Sequence, residues 1–318
     1  MNVSLCRFRY SRLVQDQVGL KWWDNNLFFK FSQSLMLFCL PIFICIFYSL
    51  LKKLNMPKFH IDCLLEYSVF QATEFIFHVE AAQHEWQQIL AEHVSITPSQ
   101  LKIENFEHGE TCNRLIRISA AENSRVRLHY TSHIKTDIPQ RPLDAEENNI
   151  AQIPAANLRY LAASHFCESD LLINFANRIF GNLPTGYQRV QAICDWIYAN
   201  VIYESGSSNN TTSAKDILIN RAGVCRDFAH LGITFCRALN IPARYVFGYM
   251  PFYNALPDFH AIFEVYLGQQ WILFDATRMG PLDEFVRVGT GLDAKDVPFA
   301  SLFGAAELIK IKPQITKL

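Results

Sequence analysis

The residue in this sequence best suited to chemistry is a cysteine at the start of an apolar helical pattern. Cys225 follows Gly223, and after it apolar side chains recur every three or four residues until Asn240 and Pro242, which typically end a helix. In the first turn of a helix, free backbone N–H groups and the helix dipole favour the thiolate, the reactive form of cysteine. The same N–H groups can stabilise the negative oxygen that forms when a thiolate attacks an amide carbonyl.

A cysteine nucleophile needs a base, and the base needs a group that fixes its orientation. His260 and Asp275 are the candidates, and they lie in two apolar stretches separated by residues 268–269, which is a hairpin pattern. A two-residue turn at that point pairs Leu267 with Gln270. The two stretches are therefore predicted to be neighbouring antiparallel strands.

This register is supported by the strand face that it produces, which is entirely apolar and suits a core. Its members are Phe263, Val265, Leu267, Ile272 and Phe274. On the opposite face His260 and Asp275 become diagonal neighbours, roughly 7–8 Å apart at the backbone and within side-chain reach. The sequence thus predicts that Cys225, His260 and Asp275 form a catalytic triad.

The motifs around these residues resemble those of the transglutaminase-like superfamily, a papain-like group of cysteine acyltransferases and hydrolases. The Gly-Val-Cys-Arg-Asp-Phe-Ala-His stretch of its bacterial branch stands unchanged at 223–230, and a Pro-Ala-Arg-Tyr-Val segment follows at 242–246. The next motif, His-Ala-Trp, is altered because Ile262 replaces the Trp. Ala276 replaces the Pro that usually follows the catalytic Asp. Neither change touches the three polar residues.

The resemblance implies an α+β fold in which the helix bearing Cys225 packs on an antiparallel β-sheet, preceded by a small β-rich domain. It also implies that Cys225 attacks an amide or peptide carbonyl and forms a thioester, with His260 and Asp275 assisting. Water as acceptor gives a protease or amidase, and an amine gives a transglutaminase. A protein or peptide substrate is expected, and no cofactor or metal. A non-catalytic relative that binds peptides or cell-wall stems remains the alternative.

The composition of the chain and the motifs it lacks argue against several other classes of function. The chain has 318 residues, half of them hydrophobic, and a net charge of −1, which gives no basis for nucleic-acid binding. Its nine cysteines lack the close spacing of a disulfide framework or a zinc site. No dinucleotide or phosphate-binding motif and no acidic cluster of the calcium type is present.

We predict four parts in this chain from the changes in its pattern. Residues 1–55 are a basic and apolar extension, 56–138 a β-rich domain, 139–158 a polar linker and 159–318 the catalytic domain. Within 56–138 we expect five strands, at 61–70, 74–79, 101–107, 114–119 and 125–130, and a short helix at 84–92.

The first 55 residues allow several interpretations. Residues 35–51 form an apolar run of 17 residues, the lower limit for a membrane span, with basic residues on both sides. The run is either an anchor or uncleaved signal, or, less favoured, a cleaved signal peptide, or it precedes a true translation start at Met56. We expect a cytoplasmic protein if translation starts at Met56, and otherwise a membrane-anchored one.

Other chemically capable residues are expected to be structural or to line the pocket. Cys194 and Cys236 fit helix cores, and His230 fits a structural hydrogen bond, because it points away from Cys225 on the helix. Tyr203, Tyr249 and Trp271 are candidates for the pocket wall.

Overall fold

The structure is a computed structural model that describes residues 56–108 and 111–318. The predicted N-terminal extension lies outside these residues. Within the described part of the chain, no helix is both long and apolar enough to cross a membrane.

Six strands make up the first part of the described chain. They are β1 (Lys58–Val69), β2 (Thr73–Phe77), β3 (Gln87–Thr97), β4 (Ile103–His108), β5 (Asn113–Ala120) and β6 (Ser124–Thr136). The expected short helix at 84–92 is wrong, because β3 occupies most of that stretch and pairs antiparallel with β6 from Gln87 to Thr97. Most β3 side chains are exposed, so the apolar pattern there does not distinguish a strand from a helix. The stretch forms a strand because it pairs with β6.

Helices dominate the middle of the chain. They are α1 (Ala155–Leu158), α2 (Ile173–Phe180), α3 (Tyr187–Asn200), α4 (Ala214–Asn220) and α5 (Cys225–Ala238). Two short parallel strands, β7 (Ile202–Tyr203) and β8 (Ala222–Gly223), flank α4 and lead into α5. The predicted apolar helix after Gly223 matches α5.

A four-stranded antiparallel sheet supports α5. Its strands are β9 (Ala243–Met250), β10 (Asp258–Leu267), β11 (Gln270–Phe274) and β12 (Val286–Gly291), in the order β11-β10-β9-β12. β10 and β11 pair Leu267 with Gln270 and Phe263 with Phe274, which confirms the predicted two-residue hairpin register. The helix lies close to this sheet at Gly232, where a Cβ atom would come within 2.6 Å of the Phe263 ring.

The last two strands return to the first part of the chain. β13 (Ala300–Phe303) pairs with β2, and β14 (Ala306–Lys317) pairs with β1. Two further four-stranded sheets result, in the orders β14-β1-β6-β3 and β13-β2-β5-β4. Residues 57–318 therefore form one compact unit with a continuous apolar core.

Candidate active site

Cys225 is the first residue of α5, and its side chain is partly exposed. The helix begins here because the buried Asp227 carboxylate accepts a hydrogen bond from the Val224 N–H at 2.9 Å and caps the first turn. Arg226 Nη2 donates to the other Asp227 oxygen at 2.9 Å and forms a local ion pair with it. Cys225 therefore lies at the positive end of the α5 dipole, where negative charge is stabilised.

The predicted partners of the cysteine lie together on the sheet. His260 Nε2 is 3.0 Å from Asp275 Oδ2, and the histidine is fully buried. The backbone N–H and the hydroxyl of Thr277 both donate to Asp275 Oδ1 at 2.8 Å. Thr277 thus fixes the carboxylate that orients the imidazole. Sequence reasoning missed this role, although an Asp followed two positions later by Thr is a spacing at which such local hydrogen bonds form.

The remaining nitrogen of His260 is the one available for chemistry. Nδ1 is buried and has no hydrogen-bond partner among the described residues. Burial lowers the pKa of His260, but the hydrogen bond to Asp275 and the interaction with the Cys225 thiol outweigh it and raise the pKa to about 10. The raised pKa favours the protonated imidazole, the form that an ion pair with a thiolate requires.

A hydroxyl group also reaches the cysteine. Tyr203, at the end of β7, packs its ring 5.8 Å from that of Phe228, on the first turns of α5. Burial raises the pKa of Tyr203, and the nearby Cys225 raises it further through its charge, whereas a hydrogen bond from the Cys225 backbone lowers it. Tyr203 and Cys225 are therefore neighbours.

Two other candidates for the pocket wall have different surroundings. Tyr249 is fully buried and donates its hydroxyl hydrogen to the Val79 carbonyl at 2.6 Å, so it joins the sheet to the segment that follows β2. Trp271 lies on β11, where its ring stacks on the Arg244 guanidinium at 4.0 Å.

The Trp-to-Ile departure noted in the sequence has a packing explanation. Ile262 is buried in a small apolar cluster on the outer face of the sheet, with Val246, Met250, Leu273 and Phe285. The ring that contacts His260 is instead that of Phe252, edge-on at 5.1 Å. Ile262 therefore belongs to a second core.

The residues expected to be structural are deeply buried. His230 Nε2 accepts a hydrogen bond from the Ala294 N–H at 3.1 Å, and burial lowers its pKa to about 3, which confirms the expected structural hydrogen bond. Cys194 and Cys236 are buried in the core, where desolvation raises the pKa of both thiols. Neither thiol is accessible for chemistry.

A buried ion pair supports the strand that carries His260. Glu264, four residues further along β10, is fully buried and accepts hydrogen bonds from Arg287 at 2.9 and 2.6 Å and from Arg244. Burial raises the pKa of Glu264, but the two arginines outweigh it and lower the pKa to about 2. The sequence alone did not indicate which cations would pair with Glu264.

Comparison with known proteins places this fold and site in a family. The model of the transglutaminase-like superfamily matches residues 173–276, and that of the bacterial transglutaminase N-terminal domain matches residues 57–158. A candidate cysteine protease from Cytophaga hutchinsonii, known from its crystal structure, is 43% identical with a TM-score of 0.79. That match covers 83% of this chain and 91% of the other. The chain therefore belongs to the transglutaminase-like superfamily.

Two mycobacterial relatives match over shorter stretches. An uncharacterized protein of Mycobacterium tuberculosis is 34% identical over 116 residues, which cover 32% of this chain and 37% of that protein. One of Mycobacterium leprae is 31% identical over 140 residues, covering 41% and 50% respectively. The chain thus matches half or less of the length of these relatives.

Proposed function

We propose that this protein is a cysteine-dependent enzyme that cleaves amide or peptide bonds through a thioester on Cys225, with His260 as acid and base and Asp275 as the group that orients it. One observation carries this proposal. Asp275 holds His260 by Nε2 and leaves the other ring nitrogen, Nδ1, without a partner among the described residues, and the Cys225 thiol interacts with the same imidazole.

In the first half of the reaction, the Cys225 thiolate attacks the carbonyl carbon and a carbon–sulfur bond forms. The carbonyl oxygen becomes negatively charged, and the N-terminal end of α5 stabilises this charge. The carbon–nitrogen bond then breaks, and the proton on His260 Nδ1 passes to the departing amine. A thioester and a neutral imidazole remain.

In the second half, water or a primary amine attacks the thioester carbonyl. His260 accepts a proton from the attacking group, the carbon–sulfur bond breaks, and the thiolate returns. Water yields a carboxylic acid, and an amine yields a new amide. We propose that the hydroxyl of Tyr203, the neighbour of Cys225, donates a hydrogen bond to the oxyanion in both halves.

Alkylation of the thiol tests the proposal directly. The rate of iodoacetamide labelling at pH 6 is measured for the full chain and for the His260→Ala and Asp275→Asn variants, with the labelled peptide identified by mass spectrometry. Cys112 is the other partly exposed cysteine of the described residues, so all three proteins carry Cys112→Ser as the common background.

We expect fast labelling of Cys225 at pH 6 that slows at least about tenfold in His260→Ala, because the imidazolium no longer stabilises the thiolate. Equal, slow labelling in all three proteins would contradict the ion pair. It would favour the alternative, a non-catalytic protein that binds peptides or cell-wall stems.

The acceptor is determined by product analysis. A glutamine-containing peptide is incubated with the protein in the presence and absence of a primary amine such as cadaverine, and ammonia release and amine incorporation are followed. Ammonia or peptide fragments without incorporation indicate hydrolysis, whereas incorporation indicates transamidation. Cys225→Ala is the matched control, and activity that persisted in it would refute a thioester mechanism.

A further inference from the structure

A cavity of about 520 Å³ lies along the hairpin strand β11, outside the proposed triad. One wall consists of β11 residues 270–273, and another of residues 138–143, where the linker begins. Its apolar side chains include those of Trp86, Leu143, Trp271 and Leu282. The cavity is therefore a groove between a strand and a linker segment.

The strand that forms the groove is the edge of its sheet, because β11 is paired on one side by β10. In a two-residue hairpin the residues flanking the turn, here Leu267 and Gln270, exchange hydrogen bonds, and hydrogen-bonded positions then alternate along the strand. The backbone N–H and C=O groups of Trp271 and Leu273 consequently point away from β10. No backbone partner for them occurs among the described residues.

Residues 138–143 line the groove opposite this edge, and no backbone hydrogen bond joins them to β11 among the described residues. Pro139 and Pro142 have no N–H to donate. The linker is instead attached at the hairpin turn, where Gly268 N–H donates to the Glu146 carbonyl at 2.9 Å and Gln269 N–H donates to Asn148 Oδ1 at 3.0 Å. The groove therefore lies beside an edge strand whose outward backbone groups have no backbone partner among the described residues.

We infer that this groove binds an extended polypeptide segment as a fifth strand on β11. Backbone groups repeating every second residue match those of an extended peptide, which is the basis of strand addition. Arg141 and Asp283 contribute opposite charges to the lining, and the remaining side chains are mostly apolar, which favours an uncharged segment. β11 leads directly to Asp275, so the bound segment lies on the strand that orients the triad.

The role of this segment as part of a substrate rests on the proposed function, but its binding does not. Binding is therefore measured with the full chain carrying Cys225→Ala, which cannot form a thioester. The probe is a fluorescein-labelled octapeptide of alternating valine and threonine with one central glutamine, and the readout is fluorescence anisotropy.

Two matched pairs of variants test the contacts. Leu143→Asp is compared with Leu171→Asp, since both leucines are exposed, by 65% and 61%, and only Leu143 lines the groove. Trp271→Pro is compared with Trp271→Ala, since both remove the indole but only proline removes the outward N–H, which β10 does not use.

We expect Leu143→Asp to weaken peptide binding about tenfold, because a charge replaces apolar surface in the groove. Leu171→Asp should bind as the parent does. Trp271→Pro should bind about fivefold more weakly than Trp271→Ala, the effect of one lost hydrogen bond. Circular dichroism of each variant confirms that it is folded before its binding is compared.

Three results would overturn the inference: no binding by the parent, equal binding by Leu143→Asp and Leu171→Asp, or equal binding by the two Trp271 variants. Self-association in sedimentation velocity that Leu143→Asp abolishes would assign the groove to a second copy instead. If the peptide binds but unmutated Cys225 never turns over amides, the groove stands and the proposed function fails. If the unmutated protein turns over a single glutamine with blocked termini but the octapeptide does not bind, the proposed function stands and the groove inference fails.

Discussion

Asp275, the residue directly after β11, and His260, on β10, meet through Oδ2 and Nε2 at 3.0 Å. Because Nε2 is occupied by the carboxylate, the proposed mechanism assigns proton transfer to Nδ1. Thr277 in turn holds the carboxylate through its backbone N–H and its hydroxyl. Thr277 therefore holds Asp275, and Asp275 in turn holds His260, which interacts with Cys225.

Substitutions at Asp275 and Thr277 should lower amide turnover, and the substitution at Asp275 should lower it more. We expect Asp275→Asn to lower kcat by about 10²- to 10⁴-fold, because the amide favours the wrong imidazole tautomer. Thr277→Val should lower it by only about tenfold, because the carboxylate stays but is held less firmly. Steady-state kinetics on a glutamine peptide measure both. Thr316→Val, on exposed β14, is the control, and a loss there as large as in Thr277→Val would refute the positioning role.

The raised pKa of His260 predicts the pH dependence of stability. With a pKa of about 10 in the folded protein and 6.5 as the ordinary value, protonation of His260 contributes stability that is complete below pH 6.5 and lost as the pH rises through 10. Asp275→Asn removes the main partner of the imidazolium. The difference in unfolding free energy between the parent and this variant, from urea denaturation, should therefore shrink from pH 6.5 to pH 10. A difference that stays constant across that range would mean that the ring is neutral.

The buried carboxylate of Glu264, on β10, predicts the opposite pH dependence of stability. The pKa of Glu264 is lowered from 4.5 to about 2, so its ion pairs stabilise the fold above pH 4.5, and this contribution is lost as the pH falls through 2. Glu264→Gln leaves Arg287 buried without its charged partner and should cost about 3–5 kcal/mol at pH 7.

Urea denaturation at pH 7 and pH 3 measures this change. Glu104→Gln removes the exposed ion pairs with Lys102 and Arg117 and serves as the control, for which little change is expected. Equal stability of the Glu264→Gln variant and the parent at pH 7 would contradict a supporting role for the ion pair.

The close approach of α5 to the sheet gives a packing prediction. In Gly232→Ala the new methyl group would meet the Phe263 ring at 2.6 Å, and such overpacking typically costs about 1–3 kcal/mol. Thermal or urea unfolding measures the loss. Phe263→Leu should reduce the penalty of the alanine in the double variant, and additive effects of the two substitutions would show that the contact is not the cause.

The parts of the site that could be predicted from sequence are those governed by local periodicity. Helix spacing around Cys225 and strand alternation around the 268–269 turn determined which side chains share a face, and this was sufficient to bring His260 to Asp275. The catalytic roles of these residues remain predictions.

What escaped prediction depends on partners distant in sequence. β3 has an exposed and polar pattern, and its pairing with β6 is a tertiary effect. The arginine that forms the bidentate pair with Glu264 comes from β12, and no periodicity links Arg287 to β10. The groove beside β11 likewise arises where the linker passes the hairpin, a packing outcome that neither segment specifies alone.

The pairing of β14 with β1 has a consequence for biosynthesis. β1 is translated near the beginning of the described chain, but its β14 neighbour emerges from the ribosome only after the whole triad has been made. During elongation the nascent sheet therefore exposes one side of β1, with unpaired amides and a row of core residues such as Leu65. The same topology predicts that a chaperone protects β1 during synthesis. It also predicts that a chain ended by a stop codon upstream of residue 306 lacks β14 and leaves that side of β1 unpaired.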